Sequence, residues 1–146
     1  MYHSIIFRNA SGAIRNTWDD WQLIPTAKPT FPMPEPQYKY VEIPGMDGSY
    51  DISTYLTDTI KYNDRQATFS FRAVDTADDW DMRCLEIGKF LHGQKMKIIL
   101  EDDPLYYYEG RVTFSEKKSE GQFPTVSFAC RVAPYKIHIN TGATAF

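Results

Sequence analysis

The sequence is poor in the residues that usually build covalent or metal sites. It has only 2 Cys among 146 residues, Cys84 and Cys130, and no Cys-x-x-Cys pair, which argues against a disulfide framework or a structural zinc site. Both cysteines fall on predicted apolar faces, where a thiol is usually buried and inert. The 3 His residues have no ligand spacing, and no glycine-rich phosphate loop is present. We therefore expect no metal, no cofactor and no thiol chemistry.

Basic clusters and long apolar runs are missing as well. The net charge is −3, whereas duplex nucleic-acid binding usually needs a basic face. No run approaches the ~20 apolar residues of a membrane span, and "SIIF" (Ser4 to Phe7) is too short for the core of a signal peptide. The sequence predicts a soluble protein without an export signal.

Aromatic residues are abundant instead, at 15% of the chain, and they favour strands. Period-two alternation in "QATFSFRAV" and "TVSFACRV" predicts half-buried strands. One helix is predicted at about 77–92, with Thr76 and Asp79 as a capping pair and Gly93 as its C-terminal cap. We predict a single, mainly β domain over 1–146, a β-sandwich or partly open barrel with one flanking helix.

Proline and glycine mark two connections in the first half of the chain. The stretch 25–36 holds five of the 9 prolines. Proline lacks an N–H donor, so we predict an extended proline-rich arm and not a central strand. Further on, Asp47-Gly48 is a strong hairpin signal.

The stretch "EDDPLYYYEGR" (101–111) raises the question of an active site. A glycosidase needs two carboxylates in one cleft, but consecutive residues of a strand point to opposite faces. Asp and Pro are also common turn formers. We predict a turn followed by a strand, with Glu109 and Arg111 as a surface pair, and no enzyme activity. Stacking of Trp18, Trp21 or Tyr106 to Tyr108 on sugar rings stays open as an alternative.

Four motifs, in order, resemble the N-terminal domain of the distal tail proteins of long, flexible-tailed bacteriophages. They are "NTWDDWQLIPTAKP" (Asn16 to Pro29), "VEIPGMDGSYDIS" (Val41 to Ser53), "FLHGQKMKIILEDDPLYYYEGRV" (Phe90 to Val112) and "APYK" (Ala133 to Lys136). The resemblance covers about 16–136 and implies a fold related to phage tail-tube proteins. The motif residues expected to be structurally important are Trp18, Trp21, Pro44, Gly45, Asp47, Gly48, Gly93, Asp102, Asp103, Pro104, Tyr107, Tyr108, Gly110 and Arg111.

The resemblance implies a structural role in the virion tail of a phage or prophage. Distal tail proteins form a ring, commonly a hexamer, that joins the tail tube to the hub or baseplate and lets DNA pass. The expected partners are other copies of the chain, the tail tube protein and the tail hub protein, with no membrane and with synthesis in the host cytoplasm. Candidate inter-subunit contacts on the arm are Pro29, Phe31, Pro32, Pro34 and Pro36. Many relatives continue into a second, lectin-like domain, which we expect to be absent here. The alternative is a monomeric carbohydrate-binding β-sandwich.

Overall fold

The computed structural model describes residues 3–55, 57–73, 80–117 and 124–146. Within these ranges the chain forms one helix and eleven strands, several of them only two or three residues long. The elements are β1 (Ile5–Arg8), β2 (Ile14–Asn16), β3 (Leu23–Pro25), β4 (Tyr40–Val41), β5 (Tyr50–Asp51), β6 (Arg65–Ala73), α1 (Trp80–Leu91), β7 (Lys95–Leu100), β8 (Asp103–Lys117), β9 (Thr125–Val132), β10 (Lys136–His138) and β11 (Thr144–Ala145).

One curled antiparallel sheet makes up most of the molecule. Its strand order is β2-β1-β7-β8-β9-β6-β3, and β10 pairs with β8 and β11 on a side branch. The two outermost strands, β2 and β3, are separated in the chain only by residues 17–22. They meet where the N–H of Leu23 donates to the carbonyl of Thr17 at 2.8 Å. The sheet is therefore a partly open barrel, and the predicted mainly β fold is confirmed.

Alternation along the strands places the core inside the curl. The residues predicted to face inward from β9, including Phe128 and Cys130, are buried, as are Phe69 and Phe71 of β6. The ring of Trp21 lies among them, 6.3 Å from that of Phe128. Twenty hydrophobic side chains form this cluster, and their removal from water is the main favourable term for the fold.

The helix α1 packs one apolar face on the sheet, as its spacing predicts. Trp80, Cys84, Ile87 and Leu91 are buried. Gly93 follows with φ +75°, the left-handed cap expected of glycine at this place. The predicted capping pair lies outside the residues that the structure describes, so the helix is described from Trp80 only. In the described ranges, no helix has the length and apolar character needed to span a bilayer.

Candidate assembly surfaces

The acidic turn that begins "EDDP" ties three parts of the chain together. Glu101 accepts hydrogen bonds from the N–H and the hydroxyl of Ser4, at 2.8 and 2.7 Å. These bonds, the backbone one first, lower the pKa of Glu101 below its usual value. Asp102 lies 2.9 Å from Nδ1 of His3. The turn thus fixes the beginning of the described chain to the β7–β8 connection.

Asp103 completes this arrangement on the other side of the turn. Its carboxylate accepts a hydrogen bond from Nζ of Lys136 at 2.6 Å, which joins the start of β8 to the start of β10. Each of the three acids therefore has its own structural partner, and the two Asp side chains bind different groups. No cluster of metal-ligating side chains is found in the described ranges. These contacts give each of the three acidic side chains a structural role in the turn.

The residues that follow the turn line the barrel wall. Tyr108 is buried, and its ring lies 4.2 Å from that of Phe31. Tyr107 lies beneath the ammonium group of Lys97, 5.0 Å away. A methyl group at Gly110 would collide with the carbonyl of Arg131 and lie 2.6 Å from Cα of Val132. Close approach of β8 and β9 therefore requires glycine here.

The predicted surface pair of Glu109 and Arg111 is wrong. Glu109 pairs with Lys95 at 3.3 Å, and Arg111 donates to the carbonyl of Gly93 at 2.9 Å. Lys97 lies directly opposite Glu109 and Lys95 lies opposite Arg111, so the Glu109–Lys95 pair is a diagonal one across the two strands, within reach of long side chains.

The two tryptophans of the first motif have different environments. Trp21 is buried, while Trp18 is half-buried in the turn between β2 and β3. The side-chain oxygen of Asn16 accepts a hydrogen bond from the N–H of Trp18 at 2.8 Å, and Gln22 has φ +52°. Local backbone chemistry thus shapes the turn that brings the two sheet edges together.

The proline-rich arm lies on its own subunit over part of its length. Pro29 and Pro34 are buried, and Phe31 packs edge-on against Phe69 at 5.1 Å. The guanidinium of Arg65 donates to the carbonyl of Pro32 at 3.3 Å. Of the candidate contact residues on the arm, Pro32 is exposed, whereas Phe31 and Pro36 are half-buried, and Met33 beside Pro32 is exposed as well.

The segment after the arm, residues 37–61, projects from the body and is called the tyrosine hairpin below. β4 and β5 pair only with each other, and the loop between them contains Gly45 and Gly48 at φ +82° and +74°. The hydrogen-bonded turn of this loop lies at Pro44-Gly45, where the N–H of Met46 donates to the carbonyl of Ile43 at 3.1 Å, and the predicted hairpin signal Asp47-Gly48 forms a bend beside it. The exposed large apolar side chains of the hairpin are Tyr38, Tyr40, Val41, Ile43, Met46, Tyr50 and Tyr55. Such a cluster on one segment is typical of a contact surface.

Sequence reasoning missed the exposure of these residues, although a signal was present. Residues 40–58 contain four acids, Glu42, Asp47, Asp51 and Asp58, and neither Lys nor Arg. A strand of the main sheet would carry polar residues on one face only, whereas here acidic and apolar residues are mixed.

The two thiols are not reactive groups. Burial raises the pKa of Cys84 to about 12, and the Glu116 carboxylate acts in the same direction. Burial alone raises the pKa of Cys130 to about 12. The prediction of inert cysteines agrees with these environments.

Comparisons with known proteins complete this description. No protein-family model and no curated protein matches the chain. Among solved structures, the chain is similar in fold to the crystal structure of the SPP1 Dit (gp 19.1) protein, described as a paradigm of the hub adsorption apparatus in phages that infect Gram-positive bacteria. The TM-score is 0.65 at 16% identity, over 92% of this chain. The alignment spans 52% of the SPP1 protein, so this chain corresponds to about half of it. The resemblance predicted from the four motifs is thus confirmed in the fold, which this chain shares with a phage distal tail protein.

Proposed function

We propose that this chain is a structural component of a bacteriophage tail. Identical copies close into a ring at the tail tip, which joins the tail tube to the hub and lets DNA pass through its bore. The observation that carries the proposal is the similarity of fold to the SPP1 Dit protein over 92% of the chain. The four sequence motifs resemble the same class of protein.

The distribution of apolar surface supports self-assembly. A ring of identical copies needs two different patches, one on each side of the subunit, so that a head-to-tail contact repeats. The tyrosine hairpin supplies a projecting patch in which Tyr40 and Tyr50 are 57% and 54% exposed. Tyrosine is enriched at interfaces because one side chain combines apolar area with a hydrogen-bonding tip. Two exposed residues of the proline-rich arm, Pro32 and Met33, provide a second proposed contact.

Light scattering and negative-stain microscopy of the purified chain test the proposal. The expected result is an oligomer of defined mass that appears as annular particles. A strictly monomeric protein at high concentration would contradict a ring that the chain builds by itself.

A variant with a shortened tyrosine hairpin tests whether the tip of the hairpin is needed for assembly. Replacing residues 42–49 by Asn-Gly would join Val41 to Tyr50 through a two-residue turn and preserve the β4–β5 pairing. We expect this variant to remain folded but monomeric. Annular particles of unchanged mass would rule out the tip of the hairpin as the contact.

A carbohydrate-binding module is the second candidate, favoured by one specific observation. Tyr38 and Tyr55, 63% and 77% exposed, line a depression of about 410 Å³ that also contains Ser53 and Lys39. A glycan array on wild type and on Tyr38→Ala tests it, with Tyr135→Ala as the control. Binding lost only in the Tyr38 variant would support this role, and no bound glycan would dismiss it.

A further inference from the structure

The outer surface of the curled sheet carries a concentration of positive charge, although the whole chain is acidic. Arg111 lies directly opposite both Arg131 on β9 and Lys95 on β7. Lys97 lies opposite Arg8 on β1. Directly paired residues share one face of a sheet, and all five side chains are exposed. We call these five residues the basic face.

Acidic partners satisfy only part of this charge. Glu109 pairs with Lys95 and Asp64 pairs with Arg131, at 3.3 and 3.1 Å. In the part of the chain that the structure describes, no carboxylate pairs with the remaining three cations, Arg8, Lys97 and Arg111. Like charges directly opposite each other on neighbouring strands are destabilising. The basic face therefore has a net positive potential that favours an anionic partner.

The surface next to the basic face is flat and made of small polar side chains. Thr68, Thr113 and Ala129 lie side by side on three adjacent strands. They form, with Arg111 and Arg131, a shallow depression of about 460 Å³. A narrow element such as a two-stranded hairpin can approach the sheet here without meeting large side chains.

The tyrosine hairpin has the complementary chemistry. Its central residues 40–58 carry four acids and no basic residue, while Lys39 and Lys61 lie near its two ends. Tyr40, Tyr50 and Tyr55 are each more than half exposed. Guanidinium groups bind carboxylates through paired hydrogen bonds, and they also stack on aromatic rings. An acidic segment rich in tyrosine can therefore make both kinds of contact with an arginine-rich face. Within one subunit, no hydrogen bond or ion pair between described residues joins the basic face to the tyrosine hairpin.

We propose that the basic face of one copy receives the tyrosine hairpin of the next copy. This inference rests on the proposed ring, and it names the two halves of the contact. Because the two patches differ, the contact is head-to-tail and repeats around a closed assembly. Charge complementarity of this kind sets the register and the partner. It also places the cations in the interface and not in the bore.

Charge reversal on each patch tests the contact. One variant carries Arg111→Glu and Arg131→Glu, and the other carries Glu42→Arg and Asp47→Arg. We expect each to need about tenfold or more higher concentration for assembly than wild type, while circular dichroism shows that the variant chain is folded. The controls, Lys89→Glu and Asp19→Lys, change exposed charges outside both patches and outside the arm, and should assemble like wild type.

Mixing the two variants provides the decisive measurement. In an alternating assembly the acidic hairpin of the first meets the intact basic face of the second, and the basic hairpin of the second meets the acidified face of the first. We expect particles of wild-type mass in the equimolar mixture only. Folded variants that assemble alone, or that fail to assemble when mixed, would overturn the inference and leave the ring itself standing. A monomeric wild type would instead remove the ring and this contact together.

A DNA-binding measurement tests whether the basic face binds DNA instead of the tyrosine hairpin. We expect the assembled wild type not to retain duplex DNA, because the hairpin covers the cations. Retention that disappears in the Arg111 and Arg131 variant would mean that this face is open in the assembly, and would overturn the contact.

Discussion

Asp103 and Lys136 form a pair at 2.6 Å that joins the beginning of β8 to β10, and Lys136 also lies 4.7 Å from the ring of Tyr106. The Lys136 side chain is 19% exposed, so both contacts are partly shielded from water. Lys136→Ala removes both, and we expect it to lower the free energy of unfolding by about 1–2 kcal/mol. Urea denaturation measures the change, with the exposed Lys28→Ala as the control at about 0.5 kcal/mol or less. Equal effects of the two substitutions would contradict a structural role for the pair.

Replacing Gly110 or Gly88 by alanine should change the stability of the fold in opposite directions. A Cβ at Gly110 collides with the backbone of β9, whereas one at Gly88 in α1 meets only Phe114, at 3.9 Å. We expect Gly110→Ala to lower stability by about 2 kcal/mol or more, through strand displacement. Gly88→Ala should raise it by about 0.5–1 kcal/mol, because alanine favours the helix. Thermal melts of both variants check the prediction, and a neutral Gly110→Ala would show that the sheet tolerates separation there.

Thr17 controls the place where the sheet edges meet. It is buried, and its side-chain oxygen accepts a hydrogen bond from the N–H of Ile5 at 2.9 Å. Thr17→Val keeps the shape but leaves this buried N–H without a partner, so we expect a loss of about 1–3 kcal/mol. Thr113→Val, on the exposed face of β8, is the control and should change stability little. Similar melting temperatures for the two variants would argue against this role of the hydroxyl.

The hydrogen bonds of Glu101 predict a specific dependence of stability on pH. Because folding lowers the pKa of this carboxyl, its contribution is present above the unfolded pKa, and it is lost as the pH falls through the folded value. Wild type should therefore exceed Glu101→Gln in stability at neutral pH, and the difference should shrink below about pH 4.5. Chemical denaturation across this range measures it. A difference that is constant with pH would exclude the ionised carboxylate as its source.

The buried thiols should resist alkylation in the folded protein. With a pKa of about 12 for Cys84 and Cys130, the thiolate fraction at pH 8 is on the order of 10⁻⁴. Iodoacetamide should label the native chain very slowly and the denatured chain at the rate of a free cysteine. Mass spectrometry follows both, and rapid labelling of the native chain would show that one of these sites opens.

Local patterns predicted the elements of this fold better than their partners. Alternation identified the inward residues of β6 and β9, and Gly93 marked the end of the helix, because these signals depend on near neighbours in the chain. The bonds of Glu101 and Asp102 join residues 97 and 99 positions apart, which no local pattern specifies. The turn in this stretch was predicted, but it consists only of Glu101 and Asp102, because β8 already begins at Asp103, and the partner of Asp103, Lys136, was not predicted.

The tyrosine hairpin is a second case in which a local pattern predicted the element but not its partner. Tyr38 and Tyr40 follow a strand pattern, and β4 is indeed extended, but it pairs only with β5. A period of two indicates an extended chain and says nothing about which sheet receives it. Whether such tyrosines belong to the core or to an exposed surface depends on where the strand lies in the folded chain. A local pattern therefore could not predict their exposure.

The shortness of the two edge strands has a consequence for how copies could meet. β2 and β3 have only three residues each, so they offer an incoming strand little backbone to extend, and sideways polymerisation into fibrils is discouraged. In the proposed ring, copies would then recognise one another through side chains, and recognition of that kind weakens in salt and can be reversed. Subunits of such a ring could exchange a misplaced neighbour before the particle is finished.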